Sequence, residues 1–253
     1  MISVTKLLFA RDYFGDRLRY TKNAHTMRNG AAEGVGPVVV WNSTKTCNLK
    51  CMHCYMQSDA KKYKDELTTE EAKKFIDDLA DFHVPVLLFS GGEPLMQWPF
   101  VAEVIDRIGE IPAAVETSGY APDDVFDDAM RKCRLILMDW KVSDPELHQK
   151  YTGVPQARIR RHAEQLAAGG VPFLLRMPII PGVNDTPFHF ETAAELVKNS
   201  KSLVRVDVLP YQRAAGAKYE MVGREYAPGF DESVPPRFHT EIFDRMGIPY
   251  RVF

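Results

Sequence analysis

The chain has 253 residues, of which 45% are hydrophobic and 26% charged, and its formal net charge is −2. That balance can bury a sizeable core and excludes a long basic or acidic tract as a device for holding nucleic acid or an anionic membrane. No run of about 18 apolar residues occurs, so no membrane-spanning helix is expected.

Residues 1–36 are mixed in composition and end in the Gly-rich NGAAEGVG, which reads as a lead-in to one domain over 37–253. The opening MISVTKLLFARDYFGDRLRY turns charged soon after a short apolar patch and has no secretory signal pattern, so a cytoplasmic, thiol-reducing location is expected. The β-branched run PVVVWNS (37–43) predicts a buried strand. The stretch ELTTEEAKKFIDDLADF follows, with Thr69 as candidate helix cap and acidic residues suited to a first turn. Strand VPVLLFS (84–90), helix PFVAEVIDRIG (99–109), strand PAAVETS (112–118) and helix DDVFDDAMRK continue the series. Strand RLILMDWK (134–141) is followed by helix ARIRRHAEQLAAGG (157–170), which stops on glycine. Strand VPFLLRMPII (171–180), then TAAELVKNS, LVRVDVLP (203–210), PRFHTEIFDRMG and PYRVF complete the chain. Strand and helix alternating six or seven times predict parallel strands covered by helices. About six such units give an α/β fold, a partial (β/α)6 TIM-like barrel.

The cysteine usage is uneven. Cys47, Cys51 and Cys54 fall within TCNLKCMHCY, and Cys133 is the fourth and last. In a reducing compartment, clustered thiols are metal ligands or redox groups rather than a disulfide frame. The loop follows the first strand, at the end where α/β barrels place their chemistry. Cys-x3-Cys-x2-Cys lacks the paired fourth ligand usual for zinc and suits a [4Fe–4S] cluster with one iron left open; zinc or incidental thiols remain the alternatives. Cys133, in a helix-to-strand turn at the far end, reads as a core residue. The remaining histidines show no ligand spacing, and the methionines read as core filler.

CNLKCMHC, with Tyr55 after it, and FSGGEP at 89–94 together resemble the hallmarks of the radical S-adenosylmethionine (SAM) superfamily. The resemblance implies a [4Fe–4S] cluster on Cys47, Cys51 and Cys54, whose open iron holds the amino and carboxylate groups of SAM. It also implies one-electron cleavage of SAM to methionine and a 5′-deoxyadenosyl radical, which abstracts hydrogen from a substrate. Ser90, Gly91, Gly92 and Glu93 would approach the SAM amino group: the glycines for close backbone approach, the carboxylate to complement an ammonium. His53 would pack or stack near the adenine.

The chain resembles two branches of the superfamily. Residues 1–95 resemble radical SAM decarboxylases of alternative haem biosynthesis, through VTKLLFARDYFGDRLRY, GPVVVWNSTKTCNLKCMHCY and VPVLLFSGGEPL. Residues 90–253 resemble glycyl-radical-enzyme activases of the pyruvate formate-lyase type, through SGGEPLMQWPFV, VETSGY, LILMDWKVSDPELHQKYTGV, LLRMPIIPGVND, VDVLPYQRAAGAKYEMVGREY and YRVF. A natural recombinant, an engineered chimera and one divergent family all fit two likenesses that meet at a shared motif. No cysteine after Cys133 favours the activase, whose minimal form needs no second cluster; the DGPG-R segment usual before activase cysteines is missing. The activase likeness implies hydrogen abstraction from a backbone glycine of a partner glycyl radical enzyme, with a flavodoxin or ferredoxin-type electron donor. It further implies that Glu116, in place of the usual Asp, and Thr117 reach SAM and a monovalent cation, and that Asp139 joins that site. Lys141 would pair with the SAM carboxylate, and Gln212, where the family has His, would hydrogen-bond SAM. Arg176, a charge inside an apolar strand, must hold a site carboxylate or brace the barrel. Asp139 and Lys141, two apart at a strand end, point to one side. Decarboxylation of a tetrapyrrole propionate and a metal-binding scaffold without turnover are the alternatives.

Overall fold

The computed structural model describes residues 38–54, 56, 58–211 and 229–253. The lead-in therefore lies outside the described residues, as do Tyr55 and Gln212. Seven strands form one parallel sheet: β1 Val39–Thr44, β2 Leu87–Gly91, β3 Ala113–Thr117, β4 Leu135–Asp139, β5 Phe173–Ile179, β6 Leu203–Pro210 and β7 Tyr250–Val252. Their order in the sheet is their order in the chain, and among the described residues β1 does not pair with β7. The sheet is thus the expected partial barrel, with one strand beyond the sixth.

Helices cover the outer face: α1 Thr69–Asp81, α2 Trp98–Ile108, α3 Asp123–Lys132, α4 Pro145–Thr152, α5 Ala157–Ala168, α6 Pro187–Val197 and α7 Glu241–Met246. Two points depart from the sequence reading. The cap of α1 is Thr68, not Thr69: Thr68 accepts from the Glu71 backbone N–H, and the Glu71 carboxylate accepts from the Thr68 backbone N–H, a reciprocal capping box. The second departure, α4, was not foreseen. Asp144 caps it by accepting from the Glu146 and Leu147 N–H groups, Pro145 opens it, and Gly153 closes it at φ 80°.

Alternation within each strand divides the buried residues in two. Phe89, Val115, Ile136, Met138, Leu175 and Met177 face the helices in the main core. Val86, Leu88, Ala114, Leu135, Leu137 and Leu174 form a second cluster on the other face of the sheet. Each large apolar side chain so buried contributes about 1.5–3 kcal/mol. Cys133 belongs to the main core at 3% exposed, and burial pushes its thiol up to about 12. His148, His162 and His189 are also buried, hydrogen-bonded to backbone or hydroxyl groups rather than grouped as ligands.

Candidate functional site

The second cluster is a floor. Two residues along each strand from Leu88, Ala114, Leu137 and Leu174 come Ser90, Glu116, Asp139 and Arg176, so the same strand parity that points the apolar residues inward carries these polar ones. Parallel register sets Asp139 beside Arg176, and Arg176 beside Asp207 on β6. Arg176 Nη1 is ion-paired with Glu116 Oε1, and its Nε lies 3.6 Å from Asp139 Oδ1. Lys141 Nζ donates to Asp139 Oδ2 at 2.7 Å, and Ser90 Oγ donates to Glu116 Oε2 at 3.0 Å. Asp207 is fully buried and accepts from Arg205 Nε at 2.6 Å. Glu116, Arg176, Asp139 and Lys141 thus form a connected chain of charges, and Asp207, beside Arg176, pairs with Arg205 at the level of Leu174. Burial works against each charge, but the opposite charges outweigh it: Lys141 and Arg176 hold the Asp139 carboxyl below its ordinary range, and Asp139 holds Lys141 and Arg176 above theirs.

The cysteine loop leaves the end of β1 and is fixed from three sides. The Lys50 N–H donates to Thr152 O at 2.7 Å and the Met52 N–H to Tyr151 O at 3.1 Å, both at the last turn of α4. Asn48 Nδ2 donates to Tyr120 O at 2.7 Å, and the Cys47 N–H to Asp59 O at 2.9 Å. Glu66 accepts from Thr44 Oγ1 at 2.9 Å, the Lys45 N–H at 2.6 Å and Gln97 Nε2 at 2.7 Å, which ties the end of β1 in place.

The two glycines, which line the cavity, also meet the cysteine loop itself. The Gly92 N–H donates to Thr44 O and the Glu93 N–H to Thr46 O, at 2.7 and 2.9 Å. A Cβ at Gly91, whose φ is 117°, would lie 2.3 Å from Thr44 O; one at Gly92 would lie 2.2 Å from Thr46 O. The close approach is to the backbone leading into the cysteines. Glu93, 1% exposed, is likewise committed to the protein. Its Oε1 accepts from Thr117 Oγ1 and the Leu95 N–H, its Oε2 from the Ser118 N–H and Oγ, at 2.5 to 3.2 Å. Burial raises its pKa against these bonds.

A cavity of about 690 Å³ unites these parts. Cys47, Cys51 and Cys54 line it together with Ser90, Gly91, Gly92 and Glu93. Glu116, Thr117, Asp139, Lys141 and Arg176 close it on the strand side, and Leu209, Pro210 and Tyr211 give an apolar rim. Burial pushes the Cys47 thiol up to about 12 and the Cys51 thiol up to about 11. Among the described residues no three His, Cys, Asp or Glu side chains converge on a point that could hold one metal ion. A cubane takes each thiolate on a separate iron and needs no such convergence. Both ring nitrogens of His53, on the cavity wall, are sealed from solvent with no hydrogen-bond partner among the described residues, and burial lowers its pKa to about 3. A neutral aromatic ring with unmet polar atoms suits a polar ligand beside the thiols.

The sequence profile described as the Radical SAM superfamily matches residues 41–196, more than half of the chain. The chain belongs to the radical SAM superfamily. Superfamily members use a [4Fe–4S] cluster and SAM, and the donor set here fits both. Among curated proteins, the Fe-coproporphyrin III synthase of Methanosarcina barkeri is 46% identical over 100 residues, 38% of this chain and 25% of that protein. The isethionate sulfite-lyase activating enzyme of Desulfovibrio desulfuricans is 37% identical over 147 residues, 56% and 47% of the two chains. The 4-hydroxyphenylacetate decarboxylase activating enzyme of Clostridioides difficile is 30% identical over 199 residues, 75% and 62%. The chain thus spans between a quarter and three fifths of the length of these radical SAM relatives. In fold it resembles the Streptococcus suis SuiB structure bound to S-adenosylmethionine, with TM-score 0.63 at 14% identity over 87% of this chain and 50% of that one. A domain of a pyruvate-formate lyase-activating enzyme from Bacteroides vulgatus gives 0.53 at 24% identity, over 66% and 97%. Among the described residues no helix is long and apolar enough to cross a membrane.

Proposed function

We propose that this chain is a radical SAM activating enzyme, which takes a hydrogen atom from a backbone glycine of a partner glycyl radical enzyme. The observation that carries the reading is the single cavity in which the cysteine loop meets the charged ends of β3, β4 and β5, together with the span shared with two kinds of activating enzyme. Cys47, Cys51 and Cys54 would hold the cluster, leaving one iron for SAM. When bound, the pair supplies reductive cleavage of the sulfonium and hydrogen abstraction. The chain's own residues hold and shield. Glu93 keeps the GGE turn against β3, and the turn keeps the cysteine loop at its height. Lys141, on Asp139 with donors to spare, can take a ligand carboxylate. His53 can pack against a base. The floor of Leu88, Ala114, Leu137 and Leu174 keeps water from the far side. A flavodoxin or ferredoxin-type donor would supply the electron.

Anaerobically reconstituted protein with SAM, reductant and candidate glycyl radical enzymes should develop a glycyl doublet by electron paramagnetic resonance. SAM cleavage without a doublet on any partner would count against the reading. The 46% identity to an Fe-coproporphyrin III synthase supports a second reading, oxidative decarboxylation of a tetrapyrrole propionate. Loss of carbon dioxide from an added porphyrinoid, read by mass spectrometry, would select it.

A further inference from the structure

The likeness to activases implied a monovalent metal cation held by Glu116, Thr117 and Asp139. The side-chain oxygens it would need are engaged, save Asp139 Oδ1, which faces a guanidinium beyond hydrogen-bond distance. Glu116 Oε1 is ion-paired with Arg176, and Oε2 accepts from Ser90 Oγ at 3.0 Å. Asp139 Oδ2 accepts from Lys141 Nζ at 2.7 Å, and Oδ1 faces Arg176 Nε at 3.6 Å. Thr117 Oγ1 donates to Glu93 at 2.7 Å and accepts from the Gly119 N–H at 2.9 Å, so both its capacities are turned away from Glu116. The charges also close. At the wall itself Glu116 and Asp139 meet Arg176 and Lys141, two against two, while Glu93 is held by four hydrogen bonds from the protein. The longer arm of Glu116, one methylene beyond an aspartate, reaches a guanidinium rooted two strands away on β5.

We propose that Arg176 stands where a monovalent metal cation would, bridging Glu116 and Asp139, and that this chain cleaves SAM without sodium or potassium. The inference rests on SAM binding in this cavity but not on which substrate follows. Arg176 is a positioning residue: it fixes the two carboxylates at the cavity wall and lets Lys141 turn a donor toward the ligand.

The full chain decides this in two measurements at constant ionic strength. The first is titration of the cluster-free protein with thallium(I), a potassium mimic, followed by nuclear magnetic resonance, with tetramethylammonium as the inert salt. The second is the 5′-deoxyadenosine release rate of the reconstituted protein in potassium and in tetramethylammonium salts. The expected results are no saturable thallium binding and rates equal within about twofold once screening is matched. Saturable binding by the native chain, or a larger potassium stimulation, overturns the proposal. Arg176→Gln frees both carboxylates and should gain thallium binding; a folded variant that gains none removes Arg176 as the reason. Should Arg176→Gln not fold, Glu116→Asp, whose shorter arm draws back from the guanidinium, is read in the same way. If no salt supports SAM cleavage, the reading of the cavity fails instead, and the thallium titration still decides whether a metal cation binds.

Discussion

The two sides of the cavity are built on different principles. On the β1–β2 side, polar groups are used up in tying loops together: Glu66 and Glu93 accept seven bonds between them, three from backbone N–H groups and four from side chains. On the β3–β5 side, charged heads meet one another at the wall, and the strands behind them are held by their own ladder. The first side is intolerant of any change in shape. The second is intolerant of a change in charge, since a buried ion left alone costs far more than a pair contributes.

That contrast breaks most easily at Gly92. A Cβ there would sit 2.2 Å from a backbone oxygen that no rotamer can move. Gly92→Ala should lower the unfolding free energy by at least about 3 kcal/mol, read from urea denaturation of the cluster-free chain; a loss below about 1 kcal/mol would dissolve the distinction. On the charged side, Arg176→Met alone should cost about 3 kcal/mol, whereas adding Glu116→Gln to it, with Asp139 left on Lys141, should recover part of the loss. Additive losses would show that shape, not charge, governs that wall. Glu93→Gln should cost about 1–3 kcal/mol, because its amide NH2 would face one donor pair, either Thr117 Oγ1 with the Leu95 N–H or the two Ser118 donors.

The smallest effect lies away from both sides. His189 is buried on α6 with Nδ1 on Ser143 Oγ at 2.8 Å, and burial lowers its pKa from 6.5 to about 3. The unfolded chain takes up a proton below 6.5 that the folded chain refuses until about 3. Stability contributed by this group is therefore complete above 6.5 and falls with decreasing pH, by about 1.4 kcal/mol per unit. His189→Asn should flatten the difference in chemical denaturation midpoint between pH 7 and 5.

Most of the barrel is readable from the chain alone because runs such as LILMD bury both faces of a strand and announce it. The cap at Thr68 was equally readable: Thr68 has Glu71 three residues on, and Thr69 has only Ala72. Helix α4 carried its own notice in Asp144, Pro145 and Gly153, but eight residues with a weak apolar stripe do not stand out by periodicity. What no linear reading supplies is the meeting of Gly92 with Thr46, or of Arg176 with Glu116 across β4. Those contacts depend on register between strands far apart in sequence, and they decide what the glycines and the arginine are for.

The donation of Gly92 and Glu93 to Thr44 and Thr46 has a consequence for any exchange of parts among relatives. The start of the cysteine segment, residues 44–46, and the glycine turn, residues 91–93, mesh as one unit. A crossover between them would mate foreign backbones at van der Waals contact, while one just beyond the turn would hand on the unit whole. The two likenesses read in the sequence meet at the same glycine motif.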